Sequence, residues 1–438
     1  MSGEIKPARV RGEEIKNNLT EYKDTLTTPL LSPIIEQIEK SSEKASLDIV
    51  LFCTDQEDEK YRQNDTILFG ECIKEMWKGK HKVFIKQIPG KPHLYDDMFE
   101  FYKTQLEELN KKQQFEGYEN IYVGLTGGTP QCNMALCLHS IRLFGKRCIP
   151  VYTIEGKNMA IPLQIGRQLI DDMKKGLIEQ QIKNYEYRIT SELLSDLNQT
   201  SIATLSNLCL YRLNFDFKRA GELVNELISQ EMGKIRELCL EIQDELNTLQ
   251  DHKLESLISE LYHNMQIKYE RGEYLDFLGR IFRFEEAILR FIVKREEDRI
   301  ITDIDPDGRN FKNYQESLKK VEELLPYLEE YRFEGNKLSY DSPNIPTLLA
   351  IFEFIIKEKD KECLAEVCQK LKTLYRLTPL RNKSTLGHGF SGVSLENIQE
   401  IMPDFSLDYV KNILSDIGLK VTENPFDKVN RFILETIW

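Results

Sequence analysis

Near the C-terminus the stretch LRNKSTLGHGF sets Arg381 and Asn382 upstream of His388, with six residues between the arginine and the histidine. Histidine titrates near neutrality, so it can take or give a proton. Arginine offers a permanent planar fork that fits phosphate oxygens two at a time. These residue types suit cleavage of an RNA phosphodiester by its own 2′-hydroxyl. That reaction needs a base for the hydroxyl, an acid for the leaving oxygen and neutralisation of the crowded phosphate. Asn382 is placed to orient either partner by hydrogen bonding. Gly387 and Gly389 allow a bend, which matters because seven extended steps would part the two Cα atoms by more than about 20 Å. One Arg–His pair supplies too few groups for all three tasks, whereas two copies meeting across a homodimer interface would supply enough. Lys372, Arg376 and Lys383 are candidates for a local basic groove. The competing reading is an ordinary surface loop, since Arg and His often fall this far apart by chance. The other histidines, His81, His93, His139, His252 and His263, have no clustered partner and read as structural.

A second constellation is GLTGGTPQCNMAL, residues 124–136, which reads as strand, tight turn and helix. In an open parallel sheet, ligands bind beyond the carboxyl ends of the strands. Gly127 and Gly128 permit close backbone approach. Thr126, Thr129 and the first amides of the helix, around Gln131, then face a phosphate or another anion. Pro130 suits the first helical turn. The turn lacks the lysine of a GxxxxGK[ST] loop and lacks GxGxxG, so neither NTP hydrolysis nor dinucleotide binding is indicated. A tight turn without ligand is the alternative. At another strand end, FCTDQEDEK places Thr54, Asp55 and Gln56 where they could read a base or ribose, or form an acidic solvated loop.

The elements that position these groups change character along the chain. Residues 1–45 read as a polar helical extension. From Leu47, apolar runs (LDIVLFC, HKVFIKQI, NIYVGLT, RCIPVYTI) alternate with helices expected over 64–77, 95–112 and 131–144. Such alternation implies an α/β Rossmann-like domain, a parallel sheet with helices on both faces, over 46–165. Beyond it the pattern is helical, with NYEYRIT (184–190) the single candidate strand. The expected division is a helical linker domain over 166–250 and an all-α C-terminal domain over 251–438. In the latter, Leu275, Leu278, Ile281, Phe282, Ala287, Ile288 and Phe291 form a core stripe at helical spacing. Punctuation falls at DPDG (305–308), SPNIP (342–346) and Pro379.

Across 438 residues, 41% are hydrophobic and 30% charged, the composition of a soluble globular chain. The net charge of −13 argues against stable DNA binding or a membrane-surface role, and a nuclease would need a local basic groove. Nine cysteines without a CxxC pair indicate neither zinc nor a disulfide framework. Cys132/Cys137 and Cys363/Cys368 are expected as buried small hydrophobes. No apolar run is long enough to span a membrane, and the expected location is cytoplasmic.

The order of the two constellations, TGGT at a strand end and then RN followed by His388 in a helical domain, resembles the CARF–HEPN ribonucleases of type III CRISPR systems, the standalone Csm-type effectors in particular. The likeness covers roughly 46–438. Leu380 before Arg381 and the GF after His388 fit it. Pro130-Gln131 depart from it, since many relatives carry lysine there. The resemblance implies a homodimeric, metal-independent endoribonuclease acting on single-stranded RNA in antiviral defence. It assigns Arg381, Asn382 and His388 to catalysis, with no metal and no cofactor for cleavage. It implies cyclic oligoadenylate, tetra- or hexa-adenylate, as allosteric activator at Thr126, Gly127, Gly128 and Thr129. Slow hydrolysis of the ring is also implied for some relatives, with Thr126 the first candidate here. A nucleotide-sensing regulator, or a HEPN toxin held silent by an antitoxin, would explain the same elements outside CRISPR.

Overall fold

Apolar runs flanked by turn residues form the expected strands in the computed structural model, which describes residues 7–41, 46–112, 115–154, 156–302 and 311–438. The boundary placed at 45 and the DPDG punctuation at 305–308 lie outside the described residues. Strand β1 (Asp48–Thr54) runs parallel to β2 (Lys82–Ile88), with Asp48 opposite Lys82. Strand β3 (Ile121–Gly124) runs parallel to β4 (Cys148–Ile154). The α/β expectation holds, except that among the described residues the single expected sheet is two, β1–β2 and β3–β4, and there is one addition. A short strand β5 (Met159–Pro162) pairs antiparallel to β4 at the edge, where the missing N–H of Pro162 is tolerated.

Helices α1 (Ala8–Asn17), α2 (Ser32–Ser41), α3 (Ile67–Met76), α4 (Tyr95–Lys111) and α5 (Pro130–Phe144) surround these ladders. Helix α5 knits the two together. Its Cys132 and Ala135 pack with Ile88, Met98 and Tyr102, while Cys137, Ile141 and Phe144 pack with Val123 and Cys148. Each large apolar side chain buried this way contributes roughly 1.5–3 kcal/mol. The N-terminal extension is part of the same body. The Arg9 amide donates to the Gln63 carbonyl at 2.9 Å, and Gly12 lies so close to Leu68 that a Cβ would come within 2.8 Å of it. These elements belong to one compact unit, Met1–Lys174.

The second unit, Lys175–Trp438, is almost wholly helical, and the boundary falls within α6 (Ile165–Lys183). It continues with α7 (Tyr187–Asp196), α8 (Thr200–Leu213), α9 (Phe217–Gln230), α10 (Gly233–Gln250), α11 (Leu254–Glu270) and α12 (Tyr274–Glu296). One turn recurs between them. Tyr185, Asn198, Phe215, His252 and Gly272 all have φ between 53° and 70°. Each of their amides bonds a carbonyl three residues back, and the next amide bonds one five back. This is the Schellman geometry that ends a helix in one left-handed residue. Only one of the five is glycine, so the usual sequence sign is missing. The strand expected at 184–190 is one of these turns plus the start of α7. Tyr187, Thr190, Ser191 and Leu194 are buried there at helical spacing, and that packing overrides the β preference of Tyr, Ile and Thr.

Further on lie α13 (Ile345–Glu358), α14 (Ala365–Tyr375), α15 (Thr378–Lys383), α16 (Leu395–Ile401), α17 (Leu407–Asp416) and α18 (Pro425–Ile437). One core joins α11 and α12 to α13, α14 and α17. The other joins α6 through α10 to Phe426, Val429 and Ile433 of α18. Helix α18 thus returns from the C-terminal end of the sequence to cover this second core. Arg212 cross-links that core. Its Nε and Nη2 donate to the two Glu260 oxygens at 2.8 Å each, and Nη1 donates to Glu245 at 2.6 Å. Cys132, Cys137 and Cys368 are buried as expected, but Cys363 is exposed in the short turn before α14. No described helix is long and apolar enough to cross a membrane.

Candidate functional site

Arg381 and Asn382 lie on α15, which begins with Pro379 in its first turn. The helix stops at Ser384, whose side chain is fully buried. Its hydroxyl donates to the Arg381 carbonyl at 2.7 Å and accepts from the Leu386 amide at 3.2 Å. The chain then folds back. The His388 amide donates to the Asn382 carbonyl at 3.0 Å, and the Ser391 amide to the Lys383 carbonyl at 2.9 Å. The two glycines are required by close approach rather than by positive φ. A Cβ on Gly387 would stand 2.6 Å from the Asn382 Cα, and one on Gly389 would overlap the Lys383 carbonyl. The bend inferred from sequence is thus a clasp between residues 382–384 and 387–391. Arg381, Asn382 and His388 all have exposed side chains on it.

Two residues outside the motif support it. The Arg381 guanidinium lies over the ring of Phe282 in α12, 5.5 Å from its centroid. Leu386 packs at Gly279 of the same helix, where a Cβ would come within 3.0 Å of it. Neither could be read from the motif, because both contacts join segments about a hundred residues apart. Beside His388, Phe390 is 95% exposed. Of the expected basic groove, Arg376 and Lys383 are exposed, but Lys372 is not available. Its ammonium pairs with Glu353 of α13, which also accepts from the Tyr331 hydroxyl.

The glycine turn follows β3 directly. The Thr126 hydroxyl oxygen accepts from the Thr153 amide at 2.8 Å, tying the turn to β4. Its hydrogen remains to be donated. Thr129 caps α5 by accepting from the Cys132 amide at 3.2 Å, and it donates to the Pro92 carbonyl at 2.5 Å. Its hydroxyl is therefore engaged on both sides. Gly127 has φ +94°, and a Cβ there would meet Leu30 at 2.9 Å. Gln131, in the first turn of α5, leaves its amide without a helical acceptor, and Gly128 directly precedes the cap. The Asn133 side chain, which the sequence reading missed, donates to the Gly128 carbonyl at 3.2 Å and steadies the turn.

Thr54, Asp55 and Gln56 end β1 in a network of their own. Thr54 exchanges hydrogen bonds with Thr66, and Asp55 pairs with Arg9 at 3.2 Å. Gln56 bonds the fully buried Asp65 through its amide N–H at 2.7 Å and its side chain at 2.9 Å. Most of their polar capacity holds the loop together.

An α/β unit followed along the chain by an almost wholly helical one matches known proteins. Residues 240–434 match the family described as the Cas_Csm6 HEPN domain. Among solved structures, Enterococcus italicus Csm6 bound to cyclic hexa-2′-fluoro-hexa-dAMP aligns with a TM-score of 0.56 and 17% identity, covering 89% of this chain and 92% of that one. No curated protein matches. Over residues 240–434 the chain is thus similar to the Csm6 HEPN family, and the resemblance to the CARF–HEPN proteins of the Csm type is borne out.

Proposed function

We propose that the protein is an endoribonuclease that cuts single-stranded RNA at Arg381, Asn382 and His388 when cyclic oligoadenylate occupies the turn Thr126–Gln131. The observation that carries this reading is the clasp, which holds an arginine and a histidine together on an exposed loop at the cost of two obligatory glycines. In the proposed reaction, one His388 takes the 2′-hydroxyl proton and the freed oxygen attacks phosphorus. The 5′-oxygen leaves with a proton from the histidine of a second copy. A 2′,3′-cyclic phosphate and a 5′-hydroxyl result, with the Arg381 fork on the non-bridging oxygens. Metal plays no part in this scheme. A homodimer is favoured by Phe390 and Leu386, exposed apolar side chains that flank His388 and would be covered by a symmetric contact.

For the activator, the Thr126 hydroxyl hydrogen, the amides of Gly127, Gly128 and Gln131, and the positive end of α5 favour a phosphate. Thr54, Asp55 and Gln56 would give additional contacts to base or ribose. The activator biases cleavage by binding one arrangement of the protein more tightly than another. The Enterococcus protein was bound to a cyclic hexanucleotide, so the hexa-adenylate ring is the first choice and the tetra-adenylate ring the second. The test is cleavage of single-stranded RNA in EDTA, with and without each ring, by wild type and His388→Ala. Equal cutting by the two proteins would refute the catalytic assignment. A rate indifferent to both rings would refute gating, and undiminished ring affinity in Thr126→Ala would move the activator site elsewhere. Loss of added ring over hours, absent in Thr126→Ala, would assign ring hydrolysis to that turn.

A further inference from the structure

Helix α12, which carries Phe282 beneath Arg381, also walls a cavity of about 450 Å³. That volume lies within the roughly 300–1,000 Å³ usual for small-ligand sites. Its apolar lining is Leu254, Leu257 and Leu261 of α11 with Ala287 of α12. Phe215, Arg280 and Arg283 line it as well. Gly279 lines it too, and Leu386 of the His388 loop packs against that glycine. Cavity and clasp therefore share a wall.

The charges around it are unevenly matched. Arg283 is exposed and pairs with Glu286 at 2.9 Å. Arg280 is partly buried, and it donates to the Asn264 side-chain oxygen and, at 3.1 Å, to the Asp276 carbonyl. Among the described residues no carboxylate stands within ion-pair distance of it. Burial accordingly pulls its pKa down, and Asp276 and Glu273 only partly offset that. A desolvated cation on a cavity wall calls for an anion. Phe215 adds a second oddity. It occupies a left-handed turn position at φ +60°, where glycine would fit without strain, yet the residue is 36% exposed, its ring lying beside Phe217 at 5.4 Å between centroids. An apolar lining, an exposed aromatic residue and two guanidinium groups match a nucleotide, with the base against carbon and the phosphate on nitrogen.

We propose that this cavity holds one nucleotide of the RNA strand adjoining the phosphodiester cut at Arg381 and His388. Its base rests on the Leu254–Leu257–Leu261 lining against Phe215, and its phosphate pairs with Arg280 and Arg283. The inference rests on the reading of the clasp as the cleavage site.

The test uses the full chain, activated by whichever ring works, and a short single-stranded RNA. Values of kcat and KM are measured for wild type, Arg280→Gln and Phe215→Leu. Direct RNA affinity is measured by fluorescence anisotropy in the His388→Ala background. Loss of a stacking or phosphate contact should raise KM and Kd by about tenfold with kcat within about twofold. Phe215→Leu is exposed and should fold normally, so it decides the matter if Arg280→Gln proves unstable. Unchanged KM and Kd in Phe215→Leu and Arg280→Gln, with cleavage still lost in His388→Ala, would overturn the cavity while leaving the cleavage site intact. If His388→Ala cuts like wild type, the cleavage reading fails, and RNA affinity alone then decides whether the cavity binds RNA. A shift in dimer dissociation by sedimentation, with RNA affinity unchanged, would make the cavity a subunit contact and overturn the proposal.

Discussion

The guanidinium of Arg381 lies over the ring of Phe282, 5.5 Å from its centroid, so the arginine of the motif is steadied by a residue of another helix. Two outcomes follow from this geometry. Arg381→Lys keeps the charge but loses the planar fork, and single-turnover cleavage should fall by about 10²–10³-fold. Phe282→Leu removes the cation–π contact, on the order of 0.5–1 kcal/mol, together with part of a buried ring in the core, so at full folding the rate should fall about two- to fivefold. A Lys variant that cuts at the wild-type rate would remove the arginine from the mechanism.

The clasp makes a sharper demand on its glycines. In Gly389→Ala the new methyl group collides with the Lys383 carbonyl, so the loop must move. Misplacement of a reacting group by about 1 Å can cost on the order of 10²-fold in rate. Gly392→Ala is the control, since a Cβ there meets nothing within 4 Å. Cleavage should be nearly lost in the first variant and kept in the second.

His263 makes stability depend on pH. Burial, helped by the nearby Arg212 charge, lowers its pKa to about 4, against an ordinary value near 6.5. Its ring stays neutral in the fold while the unfolded chain takes up the proton first. Stability should therefore fall as pH drops from about 6.5 to about 4, by roughly 3 kcal/mol for this group. His263→Leu should flatten that part of the profile in urea unfolding at pH 7 and pH 4.5. A variant whose pH profile parallels the wild type would place the titration elsewhere.

The Arg212–Glu260 pair offers a test of the second core. Glu260→Leu leaves a buried guanidinium with Glu245 as its remaining partner, and unfolding free energy should drop by about 3–5 kcal/mol. The double variant Arg212→Met with Glu260→Leu removes both charges and should recover most of that loss. Chemical denaturation of the three proteins measures the coupling.

What could be read in the sequence divides along physical lines. Strands β1 to β4 and helices α3 to α5 were legible because apolar runs and amphipathic periods are local signals. The Schellman turns were not, since Tyr185, Asn198, Phe215 and His252 adopt a conformation that composition associates with glycine. The Arg381–His388 spacing and its flanking glycines were legible as a motif, and the clasp explains both glycines. Phe282 could not be found that way, because only tertiary packing brings it under Arg381. Lys372 was misread for the same reason, its partner Glu353 lying on a neighbouring helix. The Thr129 cap was foreshadowed by Pro130, but the donation to Pro92 that engages its hydroxyl was not.

Helix α18 closes a core whose other helices lie some two hundred residues earlier, through contacts such as the Tyr187 hydroxyl on the Asn430 side chain at 3.0 Å. During synthesis, residues 178–250 must therefore wait with an open apolar face. At roughly 5–20 residues per second the wait lasts about ten to forty seconds. Throughout that interval the growing chain already carries its motif residues, or soon will, without the finished body that holds them. A nascent chain built this way depends on its latest segments to become whole.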